Sequence, residues 1–152
     1  RGEPLELSTV IGTLIIWEQL PRRCEQMVNA LVVEDEEDIR HLLMEQLKDK
    51  GCSVQKAGNG AAALRRVRQQ KPDIIFVDIM MPVMDEIDLI SRLREDSETR
   101  DVPVVLVTAV STPDVTLKAI DLGVKYRLTK PWEQSQLNFV FEQALDLKSS
   151  RP

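Results

Sequence analysis

The chain has 152 residues, 43% hydrophobic and 30% charged, with 20 Lys and Arg against 25 Asp and Glu for a formal net charge of −5. That length supports one domain with a sizeable core plus a short extension, and the acidic balance argues against general binding to a phosphate backbone, which needs a basic face. A single histidine, His41, and two cysteines, Cys24 and Cys52, leave almost no material for zinc ligation or for Ser-His or Cys-His catalysis; they point to a reduced, cytoplasmic protein without a disulfide framework.

The chain starts at Arg1, which is consistent with a fragment, a processed product or an engineered start. Leu5–Leu20 is apolar but interrupted by Ser8, Thr9, Gly12, Thr13 and Glu18. It is too short and broken for a membrane span, which needs about 20 apolar residues, and it lacks the basic start and cleavage site of a signal peptide. Ser8 is placed to cap a helix whose apolar Ile11, Leu14 and Ile15 need cover, and Pro21 breaks it. Residues 1–26 are thus expected to be a helical extension used for docking, for a homodimer contact or as a linker, or else to be non-native sequence. The domain proper is expected over 27–148, with 149–152 as a tail.

From residue 29 onward, apolar runs alternate with amphipathic stretches. Asn29–Val33 reads as a buried strand and Glu37–Lys50 as a helix stopped by Gly51. Val54–Ala57 is a short strand, and Asn59 caps a helix from Gly60 to about Gln70. Lys71-Pro72-Asp73 punctuates before the strand Ile74–Val77. A helix over Ile87–Glu95, a polar loop, and the strand Val104–Val107 follow. Thr112 and Pro113 supply an N-cap and first-turn proline for a helix over Asp114–Leu122, closed by Gly123. Val124–Leu128 is the fifth strand and Trp132–Leu147 the last helix.

Strands apolar on both faces, alternating with helices, define an α/β fold with a parallel sheet covered on both sides. Right-handed crossovers make a doubly wound five-stranded sheet the natural topology, with ligands bound outside the carboxyl ends of its strands. Glu34 and Asp35 lie at the end of the first strand, Asp78 at the third, Thr108 at the fourth, and Lys130-Pro131 after the fifth. An unpaired buried charge costs several kcal/mol, so Asp78 should meet solvent or a cation. Each residue alone is an ordinary cap or edge residue. Together on one rim they form an oxygen-rich set without His or Cys, suited to a hard cation such as Mg²⁺. The lysine and hydroxyl suit the outer oxygens of a phosphoryl group. An aspartate ionised at neutral pH needs no base to act as a nucleophile, and a bound cation would offset the repulsion of an anionic donor.

In order and spacing, VVEDEED, FVDIMMPVMD, VVLVTAV and LTKPWE resemble the receiver domain of two-component response regulators, the CheY-like superfamily, over about residues 28–147. The resemblance implies a flavodoxin-like sheet of strand order 2-1-3-4-5 with helices on both faces. It implies Asp78 as phospho-acceptor; Glu34, Asp35, Asp78 and the Met80 carbonyl as Mg²⁺ ligands; and Thr108 and Lys130 as switch and phosphate contacts. Ala109 and Pro131 fall in the flanking loops, with a cis peptide before Pro131. Implied partners are a histidine kinase or phosphotransfer protein and a downstream protein partner, engaged through the fourth helix, fifth strand and fifth helix. No direct nucleic-acid contact is expected, and no enzyme activity beyond Mg²⁺-dependent self-phosphorylation and slow self-dephosphorylation.

The chain departs from the family pattern at four positions. Glu34 stands where aspartate is usual, and Val83 and Glu86 replace familiar glycines of the loop after the phospho-acceptor. The position three residues before the lysine, commonly Tyr or Phe, is Arg127, and Tyr126 beside it should face the other side of the sheet. Arg127 is then either a charged substitute for the switch aromatic or a surface residue. The rival readings are a receiver-like scaffold that is never phosphorylated, a receiver fragment of a larger hybrid kinase or multidomain regulator, and a Mg²⁺-dependent phosphatase or nucleotide hydrolase. The last is disfavoured, because G-x-x-x-x-G-K-[ST] is absent and Met80 stands where an aspartate-based phosphatase needs a second acid.

Overall fold

The computed structural model describes residues 27–78, 86–109 and 113–149. The expected N-terminal helix, the Thr112 cap and the 150–152 part of the tail lie outside the described residues. Strands β1 (Asn29–Val33), β2 (Ser53–Ala57), β3 (Ile74–Asp78), β4 (Val104–Thr108) and β5 (Tyr126–Thr129) alternate with helices α1 (Glu37–Asp49), α2 (Gly60–Gln69), α3 (Glu86–Glu95), α4 (Pro113–Asp121) and α5 (Gln134–Ser149). The strands form one parallel sheet of order β2-β1-β3-β4-β5. The order reverses between β1 and β3, so the crevice lies at their carboxyl ends.

Side-chain alternation divides the core between two layers. Leu31, Val33, Ile75, Val77, Val104 and Leu106 pack with residues of α2, α3 and α4. Ala30, Val32, Ile74, Phe76, Val105, Val107 and Leu128 pack with Leu43 and Leu47 of α1 and Leu137 and Ala144 of α5. Every residue of β3 and β4 is buried, as expected of central strands covered on both faces.

Helix ends follow local chemistry. Asn59 accepts a hydrogen bond from the Ala62 amide at 2.8 Å, starting α2 as the sequence predicts. Gly51 and Gly123 adopt φ of 89° and 84°, and each follows a helix whose last carbonyls are closed by a Schellman pair. At α4 that pair is Gly123 to Ile120 and Val124 to Ala119. Val124 therefore gives its amide to the helix end, and β5 starts at Tyr126 rather than at Val124 as expected from hydropathy. The last helix likewise begins at Gln134, two residues later than predicted. The Gln136 side chain accepts from the Glu133 amide at 2.8 Å, half of a capping box, while the Lys130–Pro131 peptide is cis.

Candidate functional site

Sheet geometry delivers three acids to the crevice. The backbone at Glu34 still follows the β2 edge, its amide donating to the Ala57 carbonyl at 3.0 Å, and the Arg40 Nη1 donates to the Glu34 carbonyl at 2.9 Å. These bonds fix the chain as it leaves β1, and Glu34 is only 2% exposed. Asp78, at the end of β3, is 4% exposed. Asp35 is exposed, and carboxylate oxygens of Glu34, Asp35 and Asp78 lie within 4.8 Å of one another.

Lys130 enters this cluster from the loop after β5. Its Nζ donates to Asp78 Oδ1 at 2.9 Å, lies 3.1 Å from Glu34 Oε1, and is 3.8 Å from Glu36 Oε1. Asp78 thus ends a buried strand because a cation meets it there. The lysine is itself held by its backbone, whose amide donates to the Thr108 carbonyl at 2.6 Å. Thr108 is buried at the end of β4, and its Oγ1 donates to the Ala109 carbonyl at 2.9 Å.

An aspartate is ordinarily ionised at neutral pH, as expected of Asp78 from sequence, but burial pushes its carboxyl up from 3.8 to about 7, with the Lys130 hydrogen bond pulling it down and Glu34 adding to the rise. Two carboxylates crowd one lysine, and one positive charge does not stabilise both fully. Burial works against the Lys130 charge in turn, yet the hydrogen bonds to Asp78 and Glu34 prevail and raise its pKa.

Tyr126 and Arg127 face opposite sides, as strand alternation requires. Tyr126 packs with the α1/α5 layer, its hydroxyl 3.4 Å from the Gln143 carbonyl. Arg127 is exposed and pairs in register with Leu106, which belongs to the α2–α4 layer. By the same alternation Thr108 shares that face of the sheet with Arg127. Met80 and Val83 lie outside the described residues, and Glu86 is a buried acid in the first turn of α3.

Three contacts around the site are not anticipated by sequence. Glu36 reaches Lys130 because it lies two residues beyond Glu34 in a turn, where its amide donates to Glu34 Oε2 at 3.2 Å. Arg40 clamps the Glu34 carbonyl, and Trp132 donates its indole N–H to Gln46 of α1 at 2.8 Å. The run EDEED was a signal for Glu36; contacts as distant in sequence as Trp132 with Gln46 leave no local trace.

A doubly wound parallel sheet with an acidic rim at its switch point defines a class of α/β domain that works at its carboxyl edge. The chain belongs to the response regulator receiver domain family, whose profile matches residues 30–141. It is 30% identical over 120 residues to sporulation initiation phosphotransferase F of Bacillus subtilis (strain 168), covering 79% of this chain and 95% of that protein. It is 33% identical over 121 residues to regulatory protein AtoC of Escherichia coli (strain K12), covering 80% of this chain but 26% of AtoC. The chain thus spans only part of the length of several curated relatives it matches. Chemotaxis protein CheY4 of Vibrio cholerae superposes with a TM-score of 0.74 at 27% identity, over 78% of this chain and 99% of that one. Receiver domains are signalling switches rather than conventional enzymes. Among the described residues, no helix is long and apolar enough to cross a membrane.

Proposed function

We propose that this receiver domain accepts a phosphoryl group on Asp78 from a histidine kinase or phosphotransfer protein, with Mg²⁺ bound by Glu34, Asp35, Asp78 and the Met80 carbonyl. The observation that carries the reading is the Lys130 Nζ set 2.9 Å from Asp78 and 3.1 Å from Glu34 at the carboxyl end of the sheet. The three carboxylates fit a hard divalent ion: they offer only oxygen, their ligand atoms lie within 4.8 Å of one another, and Lys130 is the sole cation paired to the two buried ones among the described residues. Such an ion supplies the positive charge that lets an anionic donor approach three acids.

The chain's own groups divide the remaining work. An Asp78 oxygen attacks phosphorus in line while the bond to the donor's leaving group breaks, giving an acyl phosphate on Asp78. Lys130 stays beside the acceptor and balances charge on a phosphoryl oxygen. Thr108 turns its hydroxyl from the Ala109 carbonyl to the phosphoryl group, and that movement reshapes the rim around β4 and β5. With Arg127, not an aromatic ring, on the face shared with Thr108, the signal reaches the α4-β5-α5 surface through a charged side chain. The downstream protein partner binds there, where Leu117, Ile120 and Phe139 are exposed apolar residues.

The test is intact mass after incubation with Mg²⁺ and a small acyl-phosphate donor, for the parent and Asp78→Asn. Gain of one phosphoryl group by the parent alone supports the reading. Gain by both moves the acceptor elsewhere. If neither gains one from the small donor or from a panel of phosphorylated histidine kinases, the unphosphorylated scaffold becomes the better account.

A further inference from the structure

We propose that the hollow at the carboxyl end of edge strand β2, lined by residues of α2 and by Arg40 of α1, docks a short acidic segment of a partner protein. The hollow has a volume of about 540 Å³ and is lined by Arg40, Lys56, Arg65 and Arg66 together with Gly58, Ala62 and Gln69. Four of the lining side chains are cationic and none is acidic. Ser53–Pro72 contains five cations, Lys56, Arg65, Arg66, Arg68 and Lys71, and no acid, in a chain of net charge −5.

An arginine-bearing helix is most often a solvated surface, and two observations set this one apart. Lys56, Arg65 and Arg66 are exposed and make no ion pair with any described residue, although 30% of the chain is charged. Arg40 is the exception that anchors the wall: half-buried, it spends Nη1 on the Glu34 carbonyl at 2.9 Å and holds its place beside the groove. The site is therefore a cationic hollow with one side chain held in place and three exposed charges that make no ion pair with a described residue.

Charge distribution selects the occupant. Guanidinium groups bind carboxylates with two parallel hydrogen bonds, so two arginines and a lysine suit a few carboxylates in a row. An extended phosphate backbone would also overlie the neighbouring rim, where Asp35, Glu36, Glu37 and Asp38 are all exposed and repel it. A short acidic peptide fits inside the basic hollow without reaching that rim.

The experiment is fluorescence anisotropy of a labelled hexaglutamate peptide with the whole chain. The comparison is between Arg65→Glu/Arg66→Glu in the groove and Arg68→Glu/Lys71→Glu, an equal charge change outside it. Circular dichroism checks the fold of each, and Arg65→Ala/Arg66→Ala serves if the reversal misfolds. The expected result is saturable, salt-weakened binding that falls by about tenfold or more in the groove variant and by less than about threefold in the control. Equal losses in both variants, no saturable binding by the parent, or tighter binding of a short DNA duplex than of the peptide would each overturn the proposal.

Discussion

Lys130 donates to Asp78 at 2.9 Å across 52 residues of sequence, joining the loop after β5 to the end of β3. A second carboxylate, Glu34, shares the same ammonium group at 3.1 Å. This arrangement makes the site electrostatically unfavourable until further positive charge arrives, and pH dependence follows from it.

In protein free of divalent ions, Asp78 binds a proton more tightly folded, with a pKa of about 7, than unfolded, near 3.8. A raised carboxyl pKa favours the folded state fully below the unfolded value, and that contribution is lost as pH rises from about 4 through about 7. At about 1.4 kcal/mol per pH unit the contribution has an upper bound of roughly 4 kcal/mol, which solvent reaching the rim lowers. Urea unfolding in EDTA between these limits should therefore show the parent losing stability relative to Asp78→Asn as pH rises. Parallel curves for the two proteins would contradict it.

Mg²⁺ should be felt at Trp132, two residues from Lys130 and hydrogen-bonded to Gln46 at 2.8 Å. With Trp17→Phe as background, titration should change the Trp132 emission saturably. Asp35→Asn removes an exposed carboxylate of the cluster and should weaken the apparent affinity by at least about tenfold, since each ligand carries a large share of a hard-ion site. An unchanged titration in that variant would remove Asp35 from the ligand set.

Arg94 holds the opposite end of the domain. Its guanidinium donates to the carbonyls of Leu122, Arg100 and Val102 at 2.9, 2.9 and 2.8 Å, tying the end of α4 to the loop before β4. Arg94→Ala should cost about 2–3 kcal/mol, since charged donors to several carbonyls are lost together. Chemical denaturation reads the loss, and Mg²⁺ binding should be unaffected.

Cys52 is 8% exposed, and burial pushes its thiol up to about 11. In a Cys24→Ser background it should react with an aromatic disulfide at neutral pH only when the protein opens, with urea restoring the fast rate. Rapid labelling of the native protein would show that this thiol is accessible.

Much of this fold is legible in sequence because buried parallel strands read as apolar runs and because Asn59, Gly51 and Gly123 mark helix ends by their own chemistry. The strand β5 starts later than hydropathy predicts because Val124 is as apolar as a strand residue but spends its amide closing α4. The helix α5 starts at Gln134 rather than at Trp132 because the Glu133 amide is capped by the Gln136 side chain, a detail that apolar spacing does not carry. That Glu34, Asp35, Asp78 and Lys130 share one rim follows from their strand-end positions. The raised pKa of Asp78 does not, since it depends on how deeply the rim is buried and on two acids competing for one lysine.

The most direct test of the central claim is to locate the phosphoryl group chemically. Borohydride reduces an aspartyl phosphate to homoserine, so the parent, treated with Mg²⁺ and an acyl-phosphate donor, reduced and digested, should yield homoserine at position 78. Homoserine at any other aspartate, or phosphate retained on a hydroxyl residue, would contradict the account.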